Sequence, residues 1–380
     1  MSRILVVDDD ALVLAVYGRK LNQEGFTVET VSDGFVAVRS LRSLPPDLVV
    51  LDLMMPKFSG VDVLKFIRGS AQLKDTPVLL LTNCFMGEML EEATRLGVQG
   101  SLLKARCNPG ELLEMVGKTL NTKATPASPA APAEDAAHRA WQEFLERAPQ
   151  AVGQMRTLCQ AFVRAHDEAA RQSRLEEFYK QTRQFTSLAG LADQPSMTLL
   201  ASAFEALLHE LLAKPAAISP SVLRTITSAM DLLAVRCARI RDTGRDAEIV
   251  AKILVVDDDP ISNRIVAEAL NRSRLPCTTT QDAVLAAKWL KETPYNLVLL
   301  DIEMPGLDGL ELCKQLRKIP EHIHTPVIFV TSHADFEFRA KGILAGGDDV
   351  ISKPIFPMEL TLKAVTHLLR RRMDSKPPVK

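Results

Sequence analysis

The sequence predicts an α/β protein: two doubly wound (βα)5 domains, each with a parallel five-stranded sheet, separated by an all-α helical bundle. Three observations lead there. The stretch ILVVDDD at 4–10 recurs letter for letter at 253–259, an offset of 249 residues. The same offset maps Leu51-Asp52 onto Leu300-Asp301, Met55-Pro56 onto Met304-Pro305, Gly60 onto Gly309, and Thr76-Pro77 onto Thr325-Pro326. An offset shared without slip over about 100 residues means two copies of one fold rather than a solenoid of short repeats. Within each copy, continuous apolar runs alternate with amphipathic stretches, the pattern of a parallel sheet covered on both faces.

In the first copy ILVV is a buried strand, and 10–24 a helix with apolar positions at Leu12, Val16 and Leu21. FTVET is a short strand, 33–43 a helix, and DLVVL a buried strand. Helix 60–69, strand VLLL at 78–81, helix 85–96, a strand near 100–103 and helix 109–120 complete the unit. The second copy repeats the order, with Asp259-Pro260 as an N-cap followed by proline at the first helical position.

The domain map follows: 1–120 and 251–372 for the two copies, with 373–380 as a tail. Residues 121–133 are Ala/Pro-rich, an extended semi-rigid linker that leaves the first copy tethered but free to reorient. Residues 134–242 show helical periodicity and no strand runs, with Ser219-Pro220 as a second N-cap and proline pair; about five helices are expected. The join at 242–252 is short and charged, and is expected to hold the second copy closer.

Composition narrows the function classes. Net charge is −1 with 24% charged residues, so there is no electrostatic case for direct nucleic-acid or anionic-membrane binding. Six scattered cysteines without a CxxC pair suit reduced thiols in a cytoplasmic protein. The first ten residues read as a buried strand followed by acids, not a signal peptide, and no apolar stretch is expected to span a membrane.

In a parallel doubly wound sheet the loops at the carboxyl ends of the strands gather where ligands bind. Asp8-Asp9, Asp52, Thr82 and Lys104 fall at those ends in the first copy; Asp257-Asp258, Asp301, Thr331 and Lys353 do so in the second. The spacings between successive sites are 44, 30 and 22 residues in both copies. Three convergent carboxylates raise one another's pKa unless a cation is shared, and Mg²⁺, a hard ion that joins carboxylates to phosphate, fits best. The lysine and threonine then complete a clamp for a transferring phosphoryl group.

These residues and spacings resemble the response-regulator receiver family of bacterial two-component signalling, whose fold is flavodoxin-like. The resemblance implies that Asp52 and Asp301 accept phosphate from a phosphohistidine, donated by a sensor histidine kinase or phosphotransfer protein. It implies that Asp9 and Asp258 ligate the metal, that Asp8 and Asp257 assist, and that the carbonyls of Met54 and Glu303 complete its shell. Thr82, Thr331, Lys104 and Lys353 would bind the phosphoryl oxygens. The first copy departs from the family at Asn83, where a small residue is usual, and at Ala105, where proline is usual; the second has Ser332 and Pro354. Neither carries an aromatic residue three places before the lysine, where Ser101 and Val350 stand.

In the middle region, Thr182–Gly190 resembles the histidine-phosphotransfer signature, with Arg183 at the histidine position. A guanidinium stays protonated and cannot relay phosphate, so the region reads as a degenerate docking or spacer module. Arg183, Ser187 and Gly190 are expected on its outward face, where small residues permit close docking of a receiver. His138, His166 and His209 lie outside the motif. No helix-turn-helix or cyclase motif is visible, which predicts output by contact with a downstream signalling protein. The alternatives are the regulatory part of a longer enzyme, such as a cyclic-dinucleotide synthase, and a phosphate sink.

Overall fold

The computed structural model describes residues 2–55, 58–82, 87–104, 109–120, 133–165, 167–243, 249–273, 275–332 and 341–374. The expectations for Pro56, Asn83, Ala105, His166, nearly all of the 121–133 linker and half of the 242–252 join fall outside these residues.

The first copy runs β1 (Arg3–Val7), α1 (Ala11–Gln23), β2 (Thr27–Val31), α2 (Gly34–Ser43), β3 (Leu48–Asp52), α3 (Gly60–Gly69), β4 (Val78–Thr82), α4 (Gly87–Arg95), β5 (Gly100–Leu103) and α5 (Pro109–Thr119). Its strands pair in the order β2-β1-β3-β4-β5, all parallel. All five residues of β3 and of β4 are buried, as apolar runs covered on both faces require. Side chains from β1 and β3, with Tyr17 and Leu21 of α1 and Leu112 and Val116 of α5, form the core on one face. The acids at the strand ends start the helices: Asp10 caps α1 by accepting from Leu12 N, and Asp33 caps α2 from Phe35 N and Val36 N.

Four long helices follow among the described residues: α6 (Ala133–Arg164), α7 (Glu168–Leu191), α8 (Pro195–Ala213) and α9 (Pro220–Thr243). A short 3-10 turn, Pro215–Ala217, joins α8 to α9, and α6 continues for 32 residues through Pro149. Ser219 caps α9, its hydroxyl accepting from Val222 N at 3.2 Å. The expectation that no apolar stretch reaches membrane-spanning length is corrected by α8 in length and composition alone. α8 is 19 residues long with a mean hydropathy of 1.2, yet 72% of that window is buried inside the protein. Leu200, Phe204, Leu207 and Leu211 make it a core helix.

The second copy runs β6 (Ile253–Val256), α10 (Pro260–Arg272), β7 (Cys277–Thr280), α11 (Ala283–Glu292), β8 (Leu297–Asp301), α12 (Gly309–Leu316), β9 (Val327–Thr331), β10 (Asp349–Ser352) and α13 (Pro357–Asp374). Its parallel sheet, β7-β6-β8-β9-β10, repeats the first in order.

The chain divides into two compact units, neither continuous in sequence. One comprises Met1–Gly153, Lys180–Ser202 and Cys237–Asp246; the other comprises Gln154–Tyr179, Ala203–Arg236 and Ala247–Lys380. In the first, Phe144 of α6 meets Phe185 of α7 with ring centroids 6.2 Å apart. In the second, Phe178 and Phe204 stack edge to face at 5.3 Å. There the buried Glu359 of α13 accepts from Ser221 Oγ at 2.5 Å and Thr225 Oγ1 at 3.1 Å, both on α9.

Candidate functional site

At the carboxyl ends of both sheets the same local turns aim the same side chains inward. In the first copy Asp8 accepts from Asp10 N at 3.0 Å and Asp52 from Met54 N at 3.1 Å. In the second, Asp257 accepts from Asp259 N at 3.0 Å and Asp301 from Glu303 N at 3.4 Å. The fifth strand's end is pinned to the fourth in each, Lys104 N to Thr82 O at 2.9 Å and Lys353 N to Thr331 O at 2.8 Å. Gly60 and Gly309, which open α3 and α12, pack against the same strand ends. A Cβ on Gly309 would stand 1.9 Å from Asp301 O, and on Gly60 2.0 Å from Asp52 O. Only glycine permits that approach.

The result is two acid clusters. Carboxylate oxygens of Asp8, Asp9 and Asp52 lie within 4.8 Å of one another, as do those of Asp257, Asp258 and Asp301. Lys353 Nζ stands 2.7 Å from Asp301 and 2.9 Å from Asp257. Lys104 Nζ makes the matching contacts, 2.8 Å from Asp52 and 2.7 Å from Asp8. Thr82 and Thr331 are fully buried beside them, whereas Ser332 is exposed. Three hard oxygen donors with one lysine leave the second cluster short of positive charge, and that donor set fits a divalent cation such as Mg²⁺. The Lys353-Pro354 bond is cis.

Among the described residues, the first cluster holds a second cation, Arg183, beside its lysine. Arg183 of α7 donates to the Asp52 carboxylate and to the Met54 carbonyl, and its guanidinium pairs with Asp9. It also stands 3.6 Å from Asp8. The expected outward face of α7 is therefore covered: Arg183 is 5% exposed and Ser187 8%, while Thr182 and Phe185 opposite are fully buried. The expectation of a freely reorienting first copy is corrected by the same contacts, because its acid pocket holds a side chain from 131 residues downstream. His209, outside the motif, lies 5.7 Å from the Tyr179 ring.

Charge balance sets the protonation of the first cluster. Burial pushes the Asp8 carboxyl up to about 6 against the pull of Lys104, and burial likewise raises Asp9. Burial would raise Asp52 too, but Lys104 and Arg183 outweigh it and hold that carboxyl below its ordinary value. In the second cluster burial raises Asp257, although Lys353 opposes it. Burial would lower Lys353, but Asp257 and Asp301 hold its ammonium above its ordinary value.

One pair of residues was missed in the sequence. Arg68 donates to the carbonyls of Leu96, Gly97, Lys74 and Thr76, and Arg317 to those of Gly346, His322 and Thr325. They are related by the same 249-residue offset, which was the signal available. Each ties the end of the third helix of its copy to the loops that precede the fourth and fifth strands, at the other end of the sheet from the acids.

Comparison with known proteins agrees with this geometry. The profile of the response regulator receiver domain matches residues 4–117 and 253–365, more than half of the chain. The transcriptional regulatory protein SpaR of Bacillus subtilis is 37% identical over 125 residues, 33% of this chain and 55% of that protein. The transcriptional regulatory protein ResD of Bacillus subtilis is 40% identical over 120 residues, 32% of this chain and 48% of that protein. The chain thus spans about half the length of the curated relatives it matches. Among solved structures, chemotaxis protein CheY4 of Vibrio cholerae is 31% identical with a TM-score of 0.30, covering 31% of this chain and 98% of that one. The receiver domain of sensor histidine kinase PA1611 from Pseudomonas aeruginosa, solved with a magnesium ion in its active-site cleft, is 24% identical with a TM-score of 0.30, covering 32% and 99%. With the receiver fold present twice, and a triad of strand-end acids in each, this chain belongs to the response regulator receiver family of two-component signalling.

Proposed function

We propose that the protein is a two-receiver response regulator whose working phosphoacceptor is Asp301, with Asp52 as a second acceptor of restricted access. The observation that carries this reading is the second cluster itself: Asp257, Asp258 and Asp301 together, with Lys353 Nζ 2.7 Å from Asp301. Asp257, Asp258, Asp301 and the Glu303 carbonyl would hold Mg²⁺, as Asp8, Asp9, Asp52 and the Met54 carbonyl would in the first receiver. When bound, the ion supplies positive charge to the phosphoryl oxygens. A carboxylate oxygen of Asp301 attacks phosphorus in line, the P–N bond to the donor's imidazole breaks, and the imidazole leaves. Lys353 meets the charge on the phosphoryl group, and the Thr331 hydroxyl donates to one of its oxygens.

The donor would be a sensor histidine kinase or phosphotransfer protein, and the output contact with a downstream protein in the cytoplasm. The region 134–242 reads as a degenerate phosphotransfer module in which Arg183 replaces the relay histidine. Intact-mass measurement after treatment with acetyl phosphate and Mg²⁺ tests the assignment. Wild type should gain a phosphoryl adduct that Asp301→Ala loses and chelation prevents; an undiminished adduct in Asp301→Ala or with chelator would overturn it.

A further inference from the structure

We propose that the acid pocket of the first receiver is a guanidinium site, filled by Arg183 in place of the metal ion, so that Arg183 and Mg²⁺ exclude one another. This rests on the reading of that pocket as a Mg²⁺ and phosphoryl site. The guanidinium touches Asp9, Asp52 and the Met54 carbonyl, and stands 3.6 Å from Asp8. These four are the groups assigned to the metal, so a cation of either kind needs the same oxygens.

The charge count points the same way. Among the described residues, three carboxylates and Lys353 carry −2 in the second cluster, which a divalent ion neutralises. Arg183 brings the first cluster to −1, and adding a divalent ion without expelling Arg183 would bring it to +1 in a buried site, where net charge is costly. A 5% exposed guanidinium in turn needs these acids, since an unpaired buried charge is strongly disfavoured.

In the first unit α7 carries Arg183 into the acids, where a donor's imidazole would have to arrive, so the arginine stands in the place of the phosphodonating group. Helix α7 acts as an internal, non-transferring substitute for a phosphodonor, and Asp52 becomes a phosphoacceptor only when Arg183 withdraws.

Isothermal titration of the full-length chain with Mg²⁺ tests this, using a background of Asp258→Asn and Asp301→Asn so that only the first receiver can respond. If the competent form is about a tenth of the population, Arg183 weakens apparent Mg²⁺ affinity about tenfold. Arg183→Ala should therefore tighten binding about tenfold or more. Arg183→Gln, which keeps length and hydrogen-bonding capacity but not charge, should do the same if the alanine variant folds poorly. Methylguanidinium added to Arg183→Ala should weaken Mg²⁺ binding again. Equal Mg²⁺ affinity with and without Arg183 overturns the competition while leaving the metal assignment standing. Binding at the second receiver of the unaltered chain, with none at the first in any variant, overturns both.

Discussion

Gly309 and Gly60 show how much of each site depends on a missing side chain. Each opens the helix that follows the third strand, with its Cα pressed onto the carbonyl of the strand-end aspartate. Alanine at 309 would meet backbone at 1.9 Å, and backbone yields only by moving Asp301. Gly309→Ala should cost about 3 kcal/mol in urea unfolding and abolish phosphorylation of Asp301. Gly69→Ala is the control, since nothing lies within 4 Å of its Cβ position. It should be neutral or gain up to about 1 kcal/mol. Arg183 stands at the opposite limit of legibility. The sequence identified its position in a motif and its inability to carry phosphate, but not that its guanidinium would enter the pocket of Asp52. No local periodicity reports a partner 131 residues away. The lysines and acids were legible because the chain carries them twice at identical spacing.

At the scale of elements, strands and helices of both receivers follow from apolar patterning and capping acids, and in the first receiver the observed limits fall close to those read from the sequence. The helical region was harder, because proline is an ambiguous signal: Pro149 sits inside α6, whereas Pro220 begins α9. The two receivers also differ where the fifth strand meets the last helix. Lys363 Nζ of α13 lies 2.7 Å from Asp349 of β10, and His367 Nε2 3.2 Å from it. Burial alone would raise the Asp349 carboxyl, but hydrogen bonds from His367 and Lys363 and the Lys363 charge hold it well below the carboxylate range. A depressed folded-state value means stability that is present above the unfolded carboxyl's pKa and lost as pH falls through the folded one. Asp349→Asn should therefore lower stability at pH 7 by about 1–2 kcal/mol. The gap from wild type should narrow below about pH 4, where the unfolded carboxyl protonates. Urea unfolding at pH 7 and pH 3 checks the sign; a gap that widens in acid would contradict it. The first receiver has Gly100 and Glu114 at the positions of Asp349 and Lys363, and so lacks this pairing.

Across the whole molecule, two copies of one fold carry unequal chemistry. The second receiver presents its acids with one lysine, and the first presents them with a lysine and an arginine. Exposed to a small-molecule phosphodonor at saturating Mg²⁺, the intact chain should label Asp301 at least about tenfold faster than Asp52. Peptide mapping of the adduct over time measures the ratio, and equal rates would remove the functional asymmetry. Each compact unit gathers segments from several parts of the chain, and all four long helices are shared between them.

The position of Arg183 along the chain also has a consequence during biosynthesis. Lys104 completes the first receiver's pocket 79 residues before Arg183 is made. At translation speeds of about 5–20 residues per second, the nascent receiver spends about 4–16 seconds with its acids complete and its arginine not yet synthesised. On the proposed competition, once α5 has closed the core, Mg²⁺ would meet the acids before the arginine does, and Arg183 would arrive as the displacing ligand.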